Sequence, residues 1–197
     1  MTTRLSGLTT YFLPFNKGDK GSAGNPAAPE GKYKTHYLWE EVWAKDSVFD
    51  LLGNFIQEVV EEKEDKNGRK KRDEKIIFPR YHQMDTVRRI VDDAQKNGSG
   101  KNYLIQHSAG SGKSNTIAWT AHRLAELHDN ENHTVFDGVI VITDRRVLDR
   151  QLSETVKSFS QTTGLVKHVE SSSELKGALE TGVKIITSTL QKFPVIV

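Results

Sequence analysis

The sequence predicts an α/β fold in which helices cover both faces of a parallel sheet, preceded by a small mixed α+β segment with a charged β-hairpin. From Tyr81 onward, helix-like and strand-like stretches alternate along the chain. The run Val139–Ile142 is continuously apolar, as in parallel strands that are covered on both faces. Asn67-Gly68 lies in a charged stretch between two apolar pairs, which is typical of a hairpin turn.

Composition limits what this protein can be. The chain has 197 residues, 36% of them hydrophobic, which is enough for one sizeable core and an appendage. Its formal charge of +2 gives no overall basic signature, so any contact with nucleic acid must come from a local patch. The absence of cysteine excludes disulfides and thiolate metal sites. Since no run of about eighteen apolar residues occurs, we expect a cytoplasmic protein without membrane contact.

The N-terminal segment combines several kinds of structure. Thr9–Leu13 has the β-branched and aromatic character of a strand, and Asn16–Lys34 is rich in Gly, Lys and Pro, as surface loops are. Apolar residues within Tyr37–Ile56 recur at spacings of three and four, which predicts an amphipathic helical region.

The charged stretch Glu61–Lys75 is predicted to form the protruding hairpin. Two interpretations of its charges stay open. The ribbon is either a solvated surface whose mixed charges keep it soluble, or a DNA contact made through residues Arg69 to Arg72.

Eight elements are predicted in the α/β part. The helices are Asp85–Lys96, Lys113–His128, Val147–Ser160 and Ser172–Glu180, and the strands are Tyr103–Gln106, Val139–Thr143, Val166–Val169 and Lys184–Ser188.

A phosphate-binding loop joins the first of these strands to the helix that begins at Lys113. Gly110 and Gly112 allow backbone amides to approach phosphate oxygens, and the helix N-terminus adds its positive end. Lys113 is the candidate catalytic residue that reaches the β and γ phosphates, and the Ser114 hydroxyl is the candidate Mg²⁺ ligand. The full set of candidate phosphate-loop residues is His107, Ser108, Ala109, Gly110, Ser111, Gly112, Lys113 and Ser114.

The loop departs from the standard pattern at its first position, where His107 replaces glycine. An ordinary turn between a strand and a helix is the alternative interpretation. The sequence Gly-x-Gly-Lys-Ser in this context favours a nucleotide site.

Gln83 is a candidate adenine-binding residue, because its amide can pair with N6 and N7 of adenine. Phe78 and Arg80 are candidates to stack on the base or flank it. A lone glutamine at a helix start is otherwise a surface residue, and the position ahead of the phosphate loop favours the functional interpretation.

Polar side chains at two strand ends are candidates for binding the DNA backbone, because ligands of open α/β sheets bind at the carboxyl ends of strands. The alternative is that Asp144 caps the next helix, the arginines form surface ion pairs, and the second set caps its own helix. The candidates are Thr143, Asp144, Arg145 and Arg146 at the first strand end and Thr187, Ser188 and Thr189 at the second.

Across nearly its whole length the chain resembles superfamily 2 helicase motors, and more closely the restriction (R, HsdR) subunit of type I restriction-modification enzymes. The segments that carry this resemblance are Phe12–Gly18, Gly24–Pro26, Tyr37–Glu40, Phe78–Gln83, Gln106–Ser114, Val141–Asp149 and Thr189–Phe193.

The resemblance implies that residues 79–197 form the first part of a RecA-like motor lobe, still incomplete, and that residues 1–78 connect it to a nuclease. It implies ATP and Mg²⁺ as cofactors, and double-stranded DNA, methyltransferase (M) and specificity (S) subunits as partners. The family's nuclease cluster, its Asp-Glu-Ala-His-like box and its second lobe are expected outside this chain. We therefore expect a fragment that binds nucleotide weakly and neither hydrolyses ATP, translocates nor cuts DNA by itself.

Overall fold

A computed structural model describes residues 2–5, 7–64, 70–144, 146–160 and 164–195. The chain divides into two compact units, residues 1–85 and residues 86–197. The functional division after residue 78 stays a prediction. Every helix among the described residues is too short or too polar to cross a bilayer.

The first unit contains a four-stranded antiparallel sheet in the order β2-β1-β4-β3. Its strands are β1 (Thr2–Leu5), β2 (Tyr11–Phe12), β3 (Gln57–Glu64) and β4 (Lys70–Ile77). Strand β2 is shorter than the predicted strand Thr9–Leu13, because a 3₁₀ turn occupies Gly7–Thr9.

The charged hairpin is present as the pair β3 and β4, whose register runs from Gln57 opposite Ile77 to Glu64 opposite Lys70. Its predicted Asn-Gly turn, together with Arg69, lies outside the described residues, and the side chains of Lys70–Arg72 are likewise not described. The two interpretations of the hairpin charges both stay open.

The helical region predicted over Tyr37–Ile56 consists of three short helices: a π-helix at Leu38–Val42, α1 at Lys45–Asp50 and a second π-helix at Leu51–Phe55. The core of this unit includes the buried side chains of Phe15, Tyr37, Val42, Leu51, Phe55 and Val59. Helix α2 then spans Tyr81–Asn97, beginning four residues before its predicted start.

The second unit carries a three-stranded parallel sheet in the order β5-β7-β6. Its strands are β5 (Val139–Thr143), β6 (Val166–His168) and β7 (Ile185–Thr189), and its further helices are α3 (Lys113–Ala125), α4 (Arg146–Ser158) and α5 (Ser172–Glu180). A 3₁₀ turn at Leu190–Val195 follows β7. The α/β architecture with a parallel sheet flanked by helices is therefore confirmed.

The predicted strand Tyr103–Gln106 is wrong, because this segment is not hydrogen-bonded to any described strand. Leu104 is 95% exposed, and the Tyr103 hydroxyl instead donates to Asp93 Oδ2 of helix α2 at 2.6 Å. An apolar run becomes a strand only where a neighbouring strand accepts its backbone groups.

The core of the second unit lies between the sheet and its helices. Trp119 of α3 is buried, and its ring centroid lies 5.2 Å from that of Phe159, just after α4. Val169, Leu175, Ala178 and Ile186 form a further buried cluster beneath α5. Strand β7, at the centre of the sheet, is buried along its whole length.

Candidate functional site

The phosphate loop precedes helix α3, as its sequence predicts. Gly112 occupies the N-cap position with φ 79° and ψ 37°, and Gly110 has a φ of 72°. Both angles lie in the left-handed region, which residues with a side chain rarely adopt. The two glycines thereby bring the chain into the first turn of α3, where backbone amides point along the helix axis.

The Lys113 side chain folds back over this loop. Its ammonium group donates to the carbonyl oxygens of His107 at 3.1 Å and Ser108 at 2.7 Å. Because Lys113 is exposed, its ammonium group can exchange these two carbonyl acceptors for phosphate oxygens without leaving a buried site. This geometry fits a nucleotide phosphate, since the cation and the positive helix end lie together.

A cavity of about 670 Å³ lies beside Lys113 and is largely apolar. His107 lines it, with its Nε2 atom 3.3 Å from the Thr86 hydroxyl. Thr116 and Thr143 line it as well, and their buried hydroxyl oxygens have no hydrogen-bond partner in the described part of the chain. Buried polar atoms ordinarily have a hydrogen-bond partner, so these two hydroxyls are exceptions within the described residues.

Gln83 belongs to the first unit and is buried there. Its Oε1 atom accepts a hydrogen bond from the Arg80 backbone amide at 2.8 Å, so the side chain secures the start of α2. The Phe78 ring lies 5.9 Å from that of Phe15, in an edge-on arrangement. The adenine-binding roles of Gln83, Arg80 and Phe78 stay predictions.

The candidate DNA-binding residues lie at the carboxyl ends of neighbouring strands, because Thr143 of β5 pairs with Thr189 of β7. Asp144 is exposed, Arg145 lies outside the described residues, and the Arg146 side chain is not described. The Gln191 amide donates to the Asp144 carbonyl oxygen at 3.3 Å and so links the two strand ends.

The second set of candidates, Thr187, Ser188 and Thr189, is buried. The Thr187 hydroxyl donates to Ser153 Oγ at 3.0 Å, and the Ser188 hydroxyl donates to the Thr189 carbonyl oxygen at 3.3 Å. Direct contact of these residues with DNA stays a prediction.

Sequence reasoning missed a polar cluster in which the buried Ser153 and Asp149 meet the partly buried His168 and Lys192. These residues come from α4, β6 and the turn after β7, so no local spacing indicates that they meet. The one signal available was that Asp149 and Lys192 fall within segments of the family resemblance.

A glycine-rich loop that opens a helix beside a parallel sheet, with a lysine at the helix start, defines a phosphate-loop nucleotide-binding domain. The SWI2/SNF2 ATPase family model matches residues 82–195, more than half of the chain. The chain belongs to the SWI2/SNF2 ATPase family. Searches of curated proteins and of solved structures find no match to this chain.

Family membership makes this the domain of an ATP-dependent, helicase-like motor. Domains of this class use ATP, usually with Mg²⁺, and interact with nucleic acid.

Proposed function

We propose that this chain is part of the motor of a type I restriction enzyme's R subunit, which uses ATP to move duplex DNA before the DNA is cleaved. The observation that carries the proposal is the link between Gln191 and the Asp144 carbonyl. It holds the carboxyl ends of β5 and β7 together in the same unit as the phosphate loop. A motor needs a nucleotide site and a nucleic-acid surface on one sheet, so that a change at one reaches the other.

Lys113 and the first turn of α3 would hold the phosphates of ATP, with Lys113 exchanging the carbonyl oxygens of His107 and Ser108 for phosphate oxygens. Ser114 would hold Mg²⁺ together with the nucleotide. The described residues contain no group of three or more His, Cys, Asp or Glu side chains able to hold a metal ion. Mg²⁺ would neutralise charge on the phosphates.

The strand ends would bind the DNA backbone through Asp144–Arg146 and the turn after β7. Contacts to phosphates carry no sequence information, which suits a motor that must move along any sequence. We propose cytoplasmic methyltransferase and specificity subunits as its assembly partners, because the resemblance to the R subunit extends over both units.

Calorimetry with Mg-ATP tests the nucleotide site. We expect Lys113→Ala to weaken ATP binding about 100-fold, the equivalent of losing roughly two charge-assisted contacts. Lys96→Ala, at an exposed position near the end of α2, is the matched control and leaves the affinity unchanged. Equal affinities of both variants and the unaltered chain would contradict the phosphate-loop assignment.

Fluorescence anisotropy with a labelled DNA duplex tests the motor assignment. We expect binding that weakens steeply as salt rises, because contacts to phosphates release counterions. A nucleotide-dependent switch without a DNA role is the competing function, and it predicts no duplex binding at low salt. Titration with a purified complex of M and S subunits then tests the restriction assignment: saturable binding supports it, and the absence of binding contradicts it.

A further inference from the structure

A second cavity, of about 710 Å³, lies at the carboxyl ends of β6 and β7 and has Asp149 in its wall. The Asp149 side chain is only 5% exposed. A buried carboxylate is costly unless a cation or hydrogen-bond donors compensate it, so its surroundings must hold partners in place.

Two cationic or potentially cationic groups face this carboxylate. Asp149 Oδ2 lies 3.8 Å from His168 Nε2 and 3.8 Å from Lys192 Nζ. Lys192 also donates to the Val169 carbonyl oxygen and has a side chain that is 15% exposed. The other carboxylate oxygen, Oδ1, has no hydrogen-bond partner among the described residues.

A chain of hydrogen bonds fixes the orientation of His168. The Thr187 hydroxyl donates its proton to Ser153 Oγ at 3.0 Å, so Thr187 accepts from His168 Nδ1 at 3.1 Å. The proton of a neutral His168 therefore lies on Nδ1, and its bare Nε2 faces Asp149. Lys192 supplies a cation beside Asp149 whichever charge the imidazole carries.

Lys192 belongs to the turn Leu190–Val195, which follows β7. The Lys192 carbonyl oxygen accepts from the Ser172 hydroxyl at 2.8 Å, and the neighbouring Gln191 side chain donates to the Asp144 carbonyl oxygen at 3.3 Å. The ion pair with Asp149 thus holds the side chain of Lys192. Lys192 directly follows Gln191, whose side chain joins the two strand ends.

We propose that Asp149 is a positioning residue for nucleic-acid binding, which acts by holding Lys192 and thereby setting the turn that carries Gln191. The proposal rests on the proposed function, because the surface that Asp149 sets is the one assigned there to the DNA backbone. Asp149 itself is buried and does not touch the nucleic acid.

Asp149→Asn tests the proposal, because it keeps the shape of the side chain and removes its charge. We expect the amides of Gln191–Phe193 to exchange with solvent at least about 5-fold faster, since the turn loses its ion pair. We expect duplex affinity at low salt to fall by about 10-fold, the equivalent of one charge-assisted contact. Val156→Ala is the matched control, since it lies buried on the same helix and should leave both measurements unchanged at temperatures well below melting.

A double-mutant cycle with Lys192→Met distinguishes positioning from general loss of stability. If Asp149 acts through Lys192, then Asp149→Asn has no further effect on duplex affinity in the Lys192→Met background. Val156→Ala combined with Lys192→Met should be additive. Additive effects of Asp149→Asn and Lys192→Met would overturn the proposal, because they would mean that each residue acts alone.

The same measurements separate this proposal from the proposed function. Failure of the unaltered chain to bind duplex DNA would overturn the proposed function. Duplex binding by the unaltered chain that Asp149→Asn leaves intact would overturn only the positioning role of Asp149.

Discussion

The phosphate loop and the cluster around Asp149 lie in the same unit but are assembled in opposite ways. Lys113 reaches its two carbonyl acceptors five and six residues back in the chain. In the cluster, His168 meets Thr187 across 19 residues, and Thr187 meets Ser153 across 34. One site is a local conformation, whereas the other exists only when the sheet is complete.

Because of this difference, we expect the two sites to contribute differently to the free energy of unfolding. The contacts of Lys113 are exposed, so water replaces them readily when the side chain is removed. Asp149 is buried and faces the partly buried Lys192 ammonium group, so removing the carboxylate leaves a cation without compensation. The phosphate loop should therefore tolerate loss of the Lys113 side chain, and the Asp149 cluster should not tolerate loss of its carboxylate.

The largest expected effect is that of Asp149→Ala on stability. We expect the free energy of unfolding to fall by about 3 kcal/mol, because Lys192 loses the carboxylate it faces. We expect Lys113→Ala to change it by less than about 0.5 kcal/mol, as for other exposed side chains. Urea denaturation followed by circular dichroism measures both values.

A larger loss of stability in Lys113→Ala than in Asp149→Ala would contradict the distinction between the local phosphate loop and the long-range Asp149 cluster. A large loss of stability in Lys113→Ala would mean that the phosphate loop depends on its lysine for its conformation. A small loss in Asp149→Ala would mean that water compensates Lys192 as well as the carboxylate does.

Substitutions at two glycines, one inside the phosphate loop and one outside it, should cause losses of stability of intermediate size. Gly110 has a φ of 72° and Gly182, after α5, has a φ of 68°, and a Cβ atom at either position would meet no atom within 4 Å. Alanine at each should therefore cost about 1–2 kcal/mol of stability through backbone strain alone. Thermal unfolding should show equal losses, while calorimetry shows weaker ATP binding only in Gly110→Ala. Equal ATP affinities in the two variants would contradict the role given to the Gly110 backbone.

The same contrast explains how much of this molecule the sequence predicts. The α/β architecture, strand β5, helix α5 and the phosphate loop follow from local signals such as alternating helix-like and strand-like stretches, an apolar run and a glycine pair. Helix α2 begins earlier than its apolar periodicity indicates, because the Gln83 side chain accepts from the Arg80 amide and secures the first turn. That contact is local, but no helix propensity includes it.

Features that depend on distant partners were not predictable in this way. The run Tyr103–Gln106 has the composition of a strand, but whether it becomes one depends on a neighbouring strand, which no local pattern encodes. Asp149 and His168 are separated by 19 positions, and nothing in either local sequence marks them as neighbours. The burial of Thr187 likewise follows from the central position of β7 in the sheet. The composition of a strand does not determine its position in the sheet, so this burial could not be predicted.

A smaller expected loss of stability concerns a local contact close to the cluster. Ser171 caps α5, with its hydroxyl accepting from the Glu174 amide at 3.2 Å, and the Glu174 carboxylate accepts in turn from the Glu170 amide at 2.8 Å. We expect Ser171→Ala to lower the free energy of unfolding by about 1 kcal/mol, the usual cost of losing an N-cap. Ser99→Ala, in an exposed loop, is the control and should change it little.

The Ser171→Ala variant tests whether the loss of stability depends on how far apart in sequence the contacting residues are or on how near the substitution lies to the Asp149 cluster. If nearness to the Asp149 cluster determined the cost, this substitution would approach that of Asp149→Ala, although its own contacts span only three residues. If the range of the contact and its burial determine the cost, the loss stays near that of any exposed helix cap, and exchange of the Gln191–Phe193 amides is unchanged. Denaturation and amide exchange on this one variant therefore decide whether the cluster is stabilised by its own long-range ion pair between Asp149 and Lys192 or by the helix beside it.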